Sequence, residues 1–277
     1  MNDGVMQVKG AAFRDRGYDF PLDAISPKEA AVLRQRLEQY ERVSGGPIND
    51  HLRHKSHLLF TWLNDLIRHP KILDAVAEVI GPDILCWSTS FFIKEPQDPG
   101  FVSWHQDATY WGLSEPEVIT AWVAFTPSNR ANGCMRVIPG SHRTQLKHVD
   151  TFAKDNLLTR GQEIAAEVEE SQAVDIVLSP GQFSLHHVLI IHGSDPNPSD
   201  DRRIGFAIRY ISTRVKQTVG QIDSATLVRG MDRFGHFRQE PRPLRDFDPE
   251  AVRVHSETTE RKAQILYAGT DKTQFRD

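Results

Sequence analysis

Two textures divide the chain. Over residues 26–81 apolar positions recur every three or four residues, the spacing of a helical face, whereas from Asp83 onward they fall in short runs parted by turn residues. In the first part, "SPKEAAVLRQRLEQYERVSGG" opens on Ser26 as N-cap, with Pro27 at the first helical position and Glu29 three residues after the cap. Gly45 and Gly46 stop it. Between about 56 and 68, Leu58, Leu59, Trp62, Leu66 and Ile67 keep helical spacing, and "PKILDAVAEVIGP" predicts a third helix ended by Gly81 and Pro82.

The second part reads as strands: "ILCWSTSFFIK", "FVSWH", "EVITAWVAFTP", "CMRVIPG", "AVDIVLSPG", "QFSLHHVLIIHG" and "RIGFAIRYIS". Seven or eight strands at this spacing predict a sandwich or barrel, with the helices layered on it. Residues 142–171 are polar and read as a long excursion, a candidate lid together with the N-terminal helices. With no repeat and no clear linker, residues 1–277 read as one domain. It comprises a mainly helical part (1–82), a β core (83–215) and a C-terminal extension (216–277).

Composition narrows the partners. The 277 residues are 39% hydrophobic with a net charge of −4, and no basic run forms a tail, so a small molecule is expected rather than nucleic acid. Cys86 and Cys134 are too few for a disulfide framework and read as buried thiols. The N-terminus lacks a secretory pattern, and no apolar stretch approaches the roughly 18 residues that span a bilayer. A cytoplasmic setting without membrane contact is the expectation. Oligomeric state is open.

Chemistry enters with "SWHQDATYW", residues 103–111. On an extended strand, residues i and i+2 share a side, so His105 and Asp107 can grip one metal ion. For a third ligand, His51, His54, His57 and His69 read as solvated residues near the helices. His142 closes a turn, and His236 and His255 lie in the polar C-terminal region. In "SLHHVLIIHGSDPNPSDDRR", strand parity aligns His186, Val188, Ile190 and His192, with His192 at the rim before Gly193. His105, Asp107 and His192 then compose a two-histidine, one-carboxylate triad suited to non-haem Fe(II), with zinc as rival. Arg203, eleven residues past His192, returns near the metal on a hairpin. There its fork suits the distal carboxylate of 2-oxoglutarate, unless it pairs with Asp200 or Asp201 on the surface.

With these residues placed, "WHQD", "NGCMRVIPGSH" and "HGSDPNPSDDRRIGFAIRYI" resemble the phytanoyl-CoA dioxygenase family of Fe(II)/2-oxoglutarate oxygenases. The resemblance covers roughly residues 85–212. It implies an all-β, double-stranded β-helix (jelly-roll, cupin-like) core, Fe(II) as cofactor, 2-oxoglutarate and O₂ as cosubstrates, and hydroxylation as outcome. His105, Asp107 and His192 match the iron ligands. Arg203 and Ser194 match the contacts to the cosubstrate carboxylate, Trp122 matches the tryptophan that packs beside it, and Lys94 stands where a basic residue is common in the family.

For the substrate, Tyr110, Trp111 and Tyr210 are read as an aromatic wall, or else as simple core. His186 lies deeper in the pocket, and Arg209 is either a second anion contact or a solvated strand end. "DATYWGL" and "LVRGMDRFGHFRQEPRP" resemble bacterial members that hydroxylate aminophosphonates, so 2-aminoethylphosphonate or an N-methylated analogue is the sharpest expectation. Another small metabolite or acyl substrate stays open, as do a metal-dependent hydrolase and a non-catalytic metabolite sensor.

Overall fold

A computed structural model describes residues 3–48, 50–220 and 222–271. Helix α1 (Asp3–Arg16) leads into strand β1 (Tyr18–Asp23), followed by α2 (Pro27–Ser44), α3 (Thr61–Leu66) and α4 (Pro70–Ile80). Strands β2 (Ile84–Lys94), β3 (Val102–His105), β4 (Val118–Ala124) and β5 (Arg136–Val137) come next. A small hairpin, β6 (His148–Asp150) and β7 (Gln162–Ile164), precedes β8 (Val174–Asp175), β9 (Gln182–His187) and β10 (His192–Ser194). The order closes with β11 (Arg203–Ser212), β12 (Ser224–Arg229), β13 (Arg238–Gln239) and α5 (Pro249–Leu266).

The helix signals were local and hold locally. The Ser26 side chain accepts from Glu29 N, the Glu29 carboxylate accepts from Ser26 N, and Gly45 ends α2 at φ 83°. Residues 56–68 are not one helix: Phe60 is extended (φ −124°) and parts a 3-10 turn at Ser56–Leu58 from α3. Strand β1 lies inside the part read as mainly helical, α1 lies within that part without a start or stop signal to mark it, and α5 was not predicted. α5 does carry a start signal, Asp248 before Pro249, whose side chain accepts from Glu250 N at 3.1 Å.

The strands form a jelly roll of two facing sheets. The larger has the order β1-β9-β4-β11-β2-β12-β13, and the smaller β3-β10-β5-β8. Trp122 and Ala207 of the larger sheet meet Met135 and Val137 of the smaller between them. Parity sorts the larger sheet into two unlike faces. Ile119, Ala121 and Val123, with Ile204, Phe206 and Ile208, face outward and bury against Leu63, Ile72 and Val76 of α3 and α4. The N-terminal helices therefore cover the back of this sheet, not the mouth of a pocket. Its other face carries Thr120, Trp122, Arg203, Arg209 and His186, all buried, and buried polar residues in such number mark a working interior.

The apolar run 182–193 is two strands rather than one. β9 belongs to the larger sheet, β10 to the smaller, and residues 188–191 cross between them. For the same reason β10 and β11 are no hairpin: Arg203 faces the smaller sheet from across the interior. Residues 142–171 are pinned rather than loose. The Gln106 amide donates to Thr144 O and Leu189 O, Leu146 N donates back to Gln106 Oε1, and Ser103 Oγ donates to Gln162 O.

Beside the sheets, Glu240 is fully buried and accepts from Lys55 Nζ (2.5 Å), Thr226 Oγ1 (2.6 Å), Ser224 Oγ (2.7 Å) and His57 Nε2 (3.2 Å). His54 and His57, read as solvated, are both buried. Burial opposes the Glu240 charge, but Lys55 and His57 outweigh it and hold the carboxyl well below its ordinary value. Glu240→Ala would leave the buried Lys55 with only the more distant Asp223, at 3.9 Å, and a loss of about 3 kcal/mol is expected in urea unfolding. Because the folded pKa is depressed, the stabilisation is complete above the ordinary value of 4.5 and fades as the pH falls below it. Among the described residues no helix is long and apolar enough to cross a membrane.

Candidate active site

The smaller sheet brings three donors together. In the β3–β10 pairing His192 stands opposite His105, and their ring centroids are 4.1 Å apart. β3 ends at His105. Gln106 remains extended (φ −119°), so Asp107 returns to the same side, but it opens a 3-10 turn rather than continuing the strand. One ligand atom from each of His105, Asp107 and His192 lies within 4.8 Å of the others, and all three residues are buried.

The ring tautomers suit a cation. His192 Nδ1 lies 3.0 Å from Ile190 O, and His105 Nδ1 lies 2.9 Å from Ser103 O and 3.1 Å from His192 O. Carbonyl oxygens only accept, so each Nδ1 carries the proton and each Nε2 keeps its lone pair. Burial pushes the His192 imidazole well below its ordinary value, which keeps it neutral. Asp107 Oδ1 lies 3.3 Å from His105 Nε2, so a carboxylate oxygen and a ring lone pair face one another, the arrangement a shared cation would satisfy. Among the described residues no fourth His, Cys, Asp or Glu joins the group. Two imidazoles and one carboxylate fit a first-row metal with positions left open, and a closed structural zinc site poorly.

A cavity at this cluster is also lined by Phe92, Trp122, Ser194, Arg203 and Arg209. Arg203 is 2% exposed and makes no ion pair among the described residues: Asp201, a candidate partner, is bound to Arg34 at 2.9 Å. Its Nη1 donates to Gly133 O, its guanidinium lies 5.4 Å from the Trp122 ring, and its Nε has no partner. Burial pushes it down to about 10, so it stays charged at neutral pH. A buried cation without an anion is an unfinished interaction.

The other expected contacts divide. Ser194 lines the cavity. Lys94 stands behind it, donating to Ser194 Oγ at 2.8 Å and to Asp195 O. Burial, then the Arg203 charge, lowers its amine to about 7. Lys94 thus positions Ser194 and does not line the cavity. His186 lines it, with an unpartnered Nδ1 and an imidazole pushed down to about 4 by burial. Arg209 lines it too and is 7% exposed, so it is no solvated strand end.

The aromatic wall is not there. Tyr210 points to the opposite face of β11 and donates to Ile67 O at 2.8 Å, as its odd offset from Arg209 requires. Tyr110 lies under Arg160, 4.4 Å from its guanidinium, and Trp111 packs on Trp87 at 5.1 Å; neither lines the cavity, although Trp111 supports the Arg209 guanidinium from 5.1 Å. Thr120 was missed: its hydroxyl is buried, unpartnered and on the cavity wall. Its signal was a polar residue in the apolar run "EVITAWVAF", in phase with Trp122.

The profile described as "Phytanoyl-CoA dioxygenase (PhyH)" matches residues 13–205. The chain belongs to the phytanoyl-CoA dioxygenase family. Membership makes it an enzyme of the Fe(II)- and 2-oxoglutarate-dependent dioxygenase class. A relative from Stutzerimonas stutzeri, "Probable alpha-ketoglutarate-dependent hypophosphite dioxygenase", is 26% identical over 219 residues, 72% of this chain and 76% of that protein. The solved structure "non-heme monooxygenase; ThoJ apo" superposes with TM-score 0.83 at 39% identity, covering 93% of this chain and 97% of that one. "CytC3 with Fe(II) and alpha-ketoglutarate" gives 0.63 at 26% identity, covering 87% and 94%. The chain spans about half the length of the phytanoyl-CoA dioxygenases it also matches.

Proposed function

We propose that this family member hydroxylates an unactivated carbon of a small anionic substrate, with an aminophosphonate such as 2-aminoethylphosphonate or its N-methylated analogues as the best-fitting class. The observation that carries the reading is the buried, unpaired Arg203 facing three mutually close metal donors across one cavity. His105, Asp107 and His192 would hold Fe(II). Arg203, with Ser194, would grip the distal carboxylate of 2-oxoglutarate, and Trp122 would flank it. When bound, Fe(II) and 2-oxoglutarate supply the O₂ activation that ends in succinate, CO₂ and a hydroxylated substrate. The chain's own work is orientation and the exclusion of water.

The substrate class is supported by the second buried guanidinium, Arg209, and by the unpartnered polar atoms of Thr120 and His186 in the same cavity. The S. stutzeri relative is named for a phosphorus oxyanion. A hydrolase would have no use for Arg203 where it stands. Helical part, core and C-terminal extension act in this reading as one oxygenase domain, and the two buried free thiols suit a reducing, cytoplasmic setting. The test is anaerobic addition of Fe(II) and 2-oxoglutarate, expected to give a weak visible charge-transfer band, followed by O₂ with candidate substrates. Without a band, or without substrate-stimulated succinate, the reading fails.

Gly205 gives a sharper check of the cosubstrate side. A Cβ there would stand 1.7 Å from Trp122 Cζ2, so the ring packs where only glycine leaves room. Gly205→Ala is expected to cost about 1–3 kcal/mol in stability by overpacking and to weaken 2-oxoglutarate binding through the displaced indole. Denaturant unfolding and titration of the charge-transfer band measure the two effects separately.

A further inference from the structure

We propose that Arg209 and Lys262 form an anion subsite for the phosphonate or phosphate head of the substrate, with the Ser88 and Ser90 hydroxyls beside them. The inference deepens the reading above and rests on it. Lys262 comes from α5, is 5% exposed, donates to Ser88 Oγ and lies 4.9 Å from the Trp87 ring. Ser88 is the direct cross-strand partner of Arg209, and the Arg209 Nη1 donates to Ser90 Oγ at 3.0 Å. Two cations from distant parts of the chain thus converge on one pair of serines.

Neither cation is neutralised. Among the described residues neither Arg209 nor Lys262 makes an ion pair, and Arg209 Nε has no partner. The nearby acids are engaged elsewhere: Glu240 takes Lys55, Asp223 accepts from Trp87 Nε1 at 2.7 Å, and Asp107 belongs to the metal cluster. Burial, then the Arg209 charge, pushes the Lys262 amine well below its ordinary value, a strain that an incoming anion relieves. His54 and His255, also close by, are held neutral by burial.

Charge count and position select the ligand. A tetrahedral dianion neutralises both cations and offers an oxygen to each and to the hydroxyls, whereas a carboxylate leaves one charge buried. The cosubstrate is a poor candidate for this place. Arg203 and Arg209 share one face of β11 but stand six residues apart, roughly 20 Å of strand.

The experiment uses the full chain loaded anaerobically with Fe(II) and 2-oxoglutarate, its charge-transfer band recorded first. Calorimetric titrations with 2-aminoethylphosphonate, β-alanine and ethanolamine then compare a dianionic, a monoanionic and an uncharged head on similar frames. The phosphonate is expected to bind at least about tenfold tighter than β-alanine, and ethanolamine not to bind. Lys262→Met is expected to weaken phosphonate binding about 30-fold or more, with Lys262→Arg restoring most of it. A band with no preference for phosphonate, or Lys262→Met binding like wild type, overturns the subsite while leaving the oxygenase reading intact. Absence of the band overturns both. If Lys262→Met does not fold, the three-ligand comparison on wild type and Lys262→Arg decides.

Discussion

Exchange of His192 for alanine is expected to reduce succinate formation to background and to strip the protein of tightly bound iron. The residue sits opposite His105 in the β3–β10 pairing, with its Nε2 free because Nδ1 donates to Ile190 O. Removing it leaves two donors for a cation that needs several. A loss of several kcal/mol of transition-state stabilisation corresponds to about 10³-fold or more in rate. Iron content after desalting and single-turnover succinate yield read the two effects. Retained iron and turnover would point to His186, whose ring is 5.0 Å from that of His192.

Arg203→Ala is expected to raise the dissociation constant of 2-oxoglutarate by about 30-fold to 10³-fold, with iron content unchanged. Truncating one partner of a buried, two-pronged charge pair costs about 2–4 kcal/mol. Titrating the charge-transfer band measures it directly. Arg203→Lys should recover only part of the affinity, because an ammonium keeps the charge but not the fork and still has to satisfy Gly133 O. An alanine variant that binds 2-oxoglutarate like wild type would assign the cosubstrate to another cation.

Motif spacing carried much of the site because its chemistry is compact along the chain. Two candidate donors two residues apart survive the uncertainty of where a strand ends, so the pairing of His105 and Asp107 was legible although β3 stops at His105. Parity was legible for β11, where Arg203, Gly205, Ala207 and Arg209 share the inner face, and the same rule removes Tyr210 from it. It misled at 182–193, where one apolar run serves two sheets: burial on both sides of the crossing hides the break from any hydrophobicity pattern. Lys262 was invisible for a different reason. Its partners are Ser88 and Trp87, some 174 residues earlier, and nothing near it in the sequence marks it as more than a helix surface lysine.

The division of labour between the sheets has a mechanical corollary. The metal donors ride on the smaller sheet and its adjoining turn, while both arginines ride on β11 of the larger. A slight slide of one sheet over the other, at the Met135, Val137, Trp122 and Ala207 contact, would move the reaction centre relative to both ligands at once without detaching either. Repacking that seam at Met135 or Val137, away from Trp122, should therefore waste oxidant, dissociating 2-oxoglutarate consumption from product yield.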